Sequence, residues 1–325
     1  MKKLQILITQ YTEDETVITP MLRSLQTQQG VDFEDIEIII GNDGSDVKLS
    51  QVFLDSFHLP IRYLSFEHAE LAGCRANLFD VSSAEYVMWC DADDMFLSNL
   101  GLHTILTMAE KGFDALYSEF YEEVKRNGET VFSVHDHDSV FVHGKVYRRQ
   151  YLVDNQIYWH PHLRRHQDSC FNVLALKLAK NPVYISMPFY LWKWRDDSIC
   201  RRDPLHIPKS FCDYIDSSEQ LVIDFLNRGD FKDAAFYANL LVYDTYFTMN
   251  NPIWDKAEEY RKKTENRFNA YYERNETIIA ALDQGERAKT IAAAKAKAEQ
   301  RGLLLVRFTF HEWAEHLESM TESEG

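Results

Sequence analysis

The sequence predicts an α/β fold, a sheet flanked by helices, that gives way to an α-helical C-terminal region. Three observations carry this. The first half alternates short apolar runs with segments of helical period, the pattern of strands joined by helical crossovers. Polar clusters fall where those apolar runs end, which is where the loops of such a sheet form a crevice. Beyond Pro208 the apolar residues recur at helical spacing only.

The strand candidates, in order, are the runs at 4–8, 36–40, 61–65 and 86–90. Between the first two, Val17, Ile18, Met21, Leu22 and Leu25 share one helical face, so the first unit reads as βαβ. From 115 to 194 the pattern is mixed: a strand-like run broken by the Asn127-Gly128 turn, a helix over 168–179, and an aromatic segment at 190–194. Phe211, Tyr214, Ile215, Val222 and Phe225 mark an amphipathic helix, and the Ala-, Lys- and Glu-rich segment 286–300 marks another. Pro204 and Pro208 bracket the change of character, so the chain is divided into 1–205 and 206–325. The last eight residues, 318–325, read as a frayed tail.

Composition narrows the functional classes. The formal net charge of -16 disfavours nucleic acid as a partner, because phosphate backbones are bound by clustered Lys and Arg. No run approaches the roughly 20 apolar residues that span a bilayer, and the short apolar start at 4–8 reads as a strand. The 5 cysteines form no Cys-x-x-Cys pair, which predicts a reduced, cytoplasmic protein.

The chemistry concentrates at the strand ends. Asp91-Ala92-Asp93-Asp94 follows an apolar strand, and such oxygens suit a hard divalent cation that also binds phosphate. The same cluster serves equally as an acidic cap for a following helix. Asn42-Asp43-Gly44-Ser45 has the composition of a turn.

In order along the chain, Ile8-Thr9-Gln10-Tyr11, the segment 38–45, Trp89-Cys90-Asp91-Ala92-Asp93-Asp94 and His166-Gln167-Asp168-Ser169 resemble the signposts of family 2 glycosyltransferases with the GT-A fold. The resemblance covers about the first 200 residues, consistent with a catalytic domain of ordinary size. It implies a nucleotide-binding half, 1–100, an acceptor half, 101–205, and a Rossmann-like mixed sheet. It further implies that Thr9, Tyr11 and Asp43 line the base pocket, an aromatic ring stacking on the base while a carboxylate accepts its ring N–H. Asp91 and Asp93 are implied to hold Mn²⁺ or Mg²⁺ and the donor diphosphate, with Ala92 between them. Gly73-Cys74-Arg75-Ala76-Asn77 is similar to a family segment that would bring Arg75 to the diphosphate, although a solvated helix charge accounts for Arg75 equally well. Asp168 is implied to be the general base of an inverting displacement, and a helix N-terminus favours an Asp there in any case.

Lys145, in the segment 141–149, is read either as a donor neighbour or as part of a surface basic run. His166, Trp192 and Trp194 are the candidate acceptor contacts, with core packing the competing role for the tryptophans. Ser198 follows the aromatic segment. The histidines at 135, 137, 160 and 162 read as solvated loops and not as a second metal site.

The function expected is thus an inverting transferase moving a sugar from a nucleotide-diphosphate sugar, a UDP-sugar foremost, to a hydroxyl of a glycan or glycoside. The alternative is a carbohydrate-binding or scaffolding protein that keeps the fold without turnover. Phe308, Phe310 and Trp313 mark a surface through which the C-terminal helices would form a homodimer.

Overall fold

The computed structural model describes residues 2–196, 203, 205–303 and 308–314. Ser198, Cys200, Pro204 and the tail 318–325, on which expectations were placed, lie outside the described residues. The chain divides into two compact units, Met1–Arg195 and Asp196–Gly325.

The first unit opens with β1 (Leu4–Gln10), α1 (Glu15–Gln26) and β2 (Ile36–Asp43), the expected βαβ unit. Asp14 caps α1 by accepting hydrogen bonds from the amides of Thr16 and Val17. The helix then buries Ile18, Met21, Leu22 and Leu25 of the face read from the sequence, and leaves Val17 half-buried. A short α2 (Gln51–Asp55) leads to β3 (Ile61–Phe66), α3 (Glu70–Asp80) and β4 (Tyr86–Asp91). Strands β1, β2 and β4 are buried over nearly their whole length, as parallel strands covered on both faces must be. Each of the four runs one to three residues past its apolar run. Thr9, Asp43 and Asp91 therefore belong to the last strand residues and not to the loops.

The rest of the unit comprises β5 (Met95–Phe96), α4 (Gly101–Lys111), β6 (Ala115–Arg126), β7 (Glu129–His135), β8 (Lys145–Arg148), α5 (Arg149–Asp154), α6 (Gln167–Leu178) and β9 (Pro182–Trp192). Asn127 and Gly128, both at positive φ, form the two-residue turn between β6 and β7 that their dipeptide predicts. The sheet order is β3-β2-β1-β4-β8-β6-β9-β5, with β7 on β6. The pairs β3/β2, β2/β1 and β1/β4 are parallel, whereas β4/β8, β8/β6 and β5/β9 are antiparallel, so the sheet is mixed. The two-residue β5 crosses back onto Tyr190 and Leu191 of β9. That pairing brings the chain just after the acidic cluster against the aromatic segment.

In the second unit α7 (His206–Asn227), α8 (Phe231–Met249), α9 (Glu258–Ala280) and α10 (Gln284–Gln300) pack together. Asp244 on α8 is fully buried and forms ion pairs with Lys297 (2.9 Å) and Arg301 (3.4 Å). Burial alone would raise its carboxyl, but the two cations hold it below the usual range. Glu219 on α7 likewise gathers Arg267, Arg274 and Asn275. Trp313 is buried against Tyr246, Phe268 and Phe310, so its ring belongs to the unit's own core, while Phe308 and Phe310 are exposed. Among the described residues, no helix is long and apolar enough to cross a membrane.

Candidate active site

The carboxyl ends of β1, β2 and β4 lie side by side, with Thr9 paired to Gly41 on one flank and to Asp91 on the other. Gln10 and Asn42 lock the first two ends together: the Asn42 amide donates to Gln10 Oε1 at 2.6 Å and to the Val47 carbonyl at 2.8 Å. Gly44 turns the chain at φ +71°, and a Cβ there would stand 2.6 Å from the His68 backbone nitrogen, so no other residue fits.

Asp43 lies below this turn, almost wholly buried. Its Oδ1 accepts the Ala69 amide (2.9 Å) and its Oδ2 lies 2.8 Å from His68 Nδ1. The His68 ring is stacked on Tyr11, centroids 5.0 Å apart and planes 26° from parallel. Tyr11 and Asp43 are thus brought together as expected, but through His68, which no sequence feature singled out.

The acidic cluster divides into separate roles. Asp94 is fully buried; its Oδ2 accepts from the Tyr190 hydroxyl (2.8 Å) and its Oδ1 from the Lys193 amide (3.0 Å). Burial, with Asp93 and Asp91 nearby, pushes its carboxyl well above the usual range. His143, buried and 3.5 Å from Asp94, is held down to about 4, chiefly by desolvation. Asp94 therefore anchors the turn to β9.

Asp91 is half-buried. Burial would raise its carboxyl, but Arg75, His143 and the Thr9 hydroxyl together bring it below the ordinary value. Asp93 is pushed up to about 6 by burial and by the Asp91 charge, and its Oδ2 pairs with Arg195 at 3.2 Å, which also pairs with Glu13. Ala92 is buried between them.

This donor set fits a hard divalent cation. Two carboxylates that oppose each other's ionisation at a strand end are relieved by such an ion. Asp91, Asp94 and His143 offer ligand atoms within 4.8 Å of one another, while Asp93 stands outside that group on Arg195. Both Asp94 oxygens accept hydrogen bonds, whereas Asp91 and Asp93 each face an arginine.

Arg75 is no solvated helix charge. It is 2% exposed, its Nη2 lies 2.9 Å from Asp91 Oδ1, and its guanidinium covers the Trp159 ring at 4.8 Å. Its Nε and Nη1 have no hydrogen-bond partner among the described residues. Trp159 in turn lies flat on Phe171 of α6, centroids 4.1 Å apart. That stack ties Arg75 to the helix that carries Asp168.

Asp168 stands in the first turn of α6, which begins at Gln167, one residue before the predicted start, behind His166 in a left-handed conformation (φ 57°). Its Oδ1 accepts from the Ser169 amide. Burial pushes it up to about 6 against the pull of Arg75, and Asp91 adds to the rise. One buried guanidinium is therefore felt by both the strand-end Asp91 and the helix-start Asp168.

Lys145 is buried too, and the surface reading fails: its Nζ pairs with Asp138 Oδ1 at 3.0 Å. Trp192 packs on Phe141 and His143, whereas Trp194 lies under Lys125 and donates its amide to Glu123. His135 stacks on Phe120 and pairs with Glu122, so it is a packed residue and not a loop one.

The sequence matches the family model described as "Glycosyl transferase family 2" over residues 5–171, just over half of the chain. The chain belongs to glycosyl transferase family 2. It is thus a glycosyltransferase, and its mixed sheet is that of the GT-A fold. The fold is similar to the crystal structure of S. aureus TarS 1-349 (TM-score 0.64, 15% identity, 92% of each chain covered). It is similar as well to S. aureus TarS 1-349 in complex with UDP-GlcNAc (TM-score 0.65, 17% identity, 92% of each chain). The crystal structure of S. aureus TarS matches over 90% of this chain and 55% of that one, with TM-score 0.55 and 15% identity. No curated protein sequence matches significantly. The glycosyltransferase match ends at residue 171, inside α6, so Asp168 falls within it and Trp192 and Trp194 fall beyond.

Proposed function

We propose that this glycosyltransferase moves a sugar from a UDP-sugar to an acceptor hydroxyl with inversion, Asp168 acting as general base. The observation that carries the reading is the shared guanidinium of Arg75, which electrostatically links the acidic strand end to the carboxylate on α6. A TarS structure in complex with UDP-GlcNAc supports the choice of donor class.

In this reading residues 1–205 form the catalytic domain and 206–325 a helical appendage. Thr9, Tyr11 and Asp43 hold the base. Asp91 and Asp93 hold Mn²⁺ or Mg²⁺, which when bound stabilises the negative charge of the departing diphosphate. Arg75 fixes Asp91 in place. Asp168, raised toward neutrality by burial, takes the acceptor proton as that oxygen attacks the anomeric carbon opposite the leaving group. His166, Trp192 and Trp194 border the acceptor, and one ionisable carboxylate suffices for a single displacement.

The test is UDP release from a panel of UDP-sugars with and without Mn²⁺. Metal-dependent release is expected from wild type, and Asp168→Asn is expected to retain UDP binding while losing transfer. Asp93→Asn is expected to weaken metal-dependent UDP binding. Wild-type transfer by Asp168→Asn overturns the base assignment, and no release from any UDP-sugar overturns the donor.

A further inference from the structure

Two contacts define the seat of the nucleobase in the proposed function: a ring face laid on Tyr11 and a ring N–H given to the Asp43 carboxylate. Both are already made by a residue of the chain. The His68 imidazole stacks on Tyr11 at 5.0 Å, and its Nδ1 stands 2.8 Å from Asp43 Oδ2 and 3.0 Å from the Asp43 carbonyl. Both neighbours are acceptors, so Nδ1 carries the hydrogen. At 5.0 Å the two rings leave no space for a third between them.

We propose that His68 occupies the nucleobase seat of the free protein and must swing out for the donor to bind, so that it sets the affinity for the nucleotide. The inference rests on the proposed UDP-sugar function.

The surroundings confine the motion to the side chain. The His68 backbone packs on Gly44 too closely to admit one more carbon, and the adjacent Ala69 amide is bound to Asp43 Oδ1. Asp43 consequently keeps its position when His68 leaves, and its Oδ2 is released toward the incoming ring N–H. The imidazole is itself 45% exposed, so a departing ring passes into solvent. Its Nε2 lies 3.9 Å from Glu70 Oε1, too far for a hydrogen bond, so little else holds it.

Each nucleotide displaces the same contacts, so the cost falls equally on all bases. His68 lowers affinity without changing the order of preference. The experiment is calorimetric titration of UDP, with Mn²⁺ present, into wild type, His68→Ala and His68→Phe, their melting temperatures being compared first. Removing a stack and a hydrogen bond from the competitor is expected to tighten UDP binding to His68→Ala about tenfold. His68→Phe, which keeps the stack and loses the N–H, is expected to fall between the two. Unchanged or weaker UDP binding by a folded His68→Ala overturns the proposal while leaving the UDP-sugar reading intact. Absence of UDP binding by wild type removes that reading, and the proposal with it.

Discussion

Replacing Arg75 by Met tests the core of the site most directly, because this one cation is buried, paired and aromatic-stacked at once. Breaking a buried ion pair from one side costs about 3–5 kcal/mol, since the remaining charge is left in a poor solvent. Asp91 keeps 29% of its side-chain surface in contact with water, so the lower end, about 3 kcal/mol, applies. Loss of the guanidinium over Trp159 adds about 1 kcal/mol, partly returned by the Met side chain. In a unit of this size each kcal/mol moves the midpoint by about 2–4 °C, so melting is expected to fall by roughly 6–15 °C. A second effect is chemical. Arg75 opposes the burial-driven rise of Asp168, so without it that carboxyl climbs further above about 6. The acid limb of the transfer rate should then move to higher pH. Scanning calorimetry and initial rates across the neutral range read the two effects separately, and Arg75→Lys should restore the limb better than the melting point. An Arg75→Met protein that melts with wild type and keeps its acid limb in place would refute both roles of the guanidinium.

In wild type the rate should fall as pH drops through about 6, because Asp168 must be ionised to accept the proton. Since that folded-state carboxyl is raised, its ionisation costs stability above about pH 6, a cost relieved as pH falls; Asp168→Asn should therefore melt no lower than wild type at neutral pH. Tyr190→Phe removes the donor to Asp94 and the acceptor of the Asp91 amide, and chemical denaturation should report a loss of about 1–3 kcal/mol. Asp244→Asn leaves Lys297 and Arg301 without their shared counter-charge inside the helical unit. A loss of about 3–5 kcal/mol is expected by denaturation followed by far-ultraviolet circular dichroism.

What the sequence disclosed and what it hid follow one physical division. Strands β1, β2 and β4 were legible because both faces are buried, which writes a continuous apolar run, and the hairpin was legible because Asn127-Gly128 names its own turn. Strand ends exceeded the runs because backbone pairing continues through polar residues such as Asn42 and Asp43, whose side chains are spent on the neighbouring loop. Residues 91, 93 and 168 were marked as candidates, the first two by type and place and the third through the family resemblance. Their surroundings were not legible, because these come from partners far along the chain. Asp94 is held by Tyr190 and Lys193, nearly a hundred residues on, and nothing local separates it from Asp93. Arg75 and Lys145 look like surface cations by type, and only the carboxylates opposite them, Asp91 and Asp138, make burial tolerable. His68 carries no motif at all; it is recognised only by standing where a ligand is expected.

The burial of Asp94 has a consequence for the electrical balance of the turn. Among the carboxyls of the segment 91–94, burial pushes that of Asp94 well above the usual range, while Asp91 faces Arg75 and Asp93 faces Arg195, a cation that Glu13 shares. Asp94→Asn is therefore the change expected to disturb the charge of the turn least, whereas the same change at position 91 or 93 removes a carboxylate that faces a cation. A chain could change the last of these acidic positions with less disturbance to its electrostatics than either of the other two.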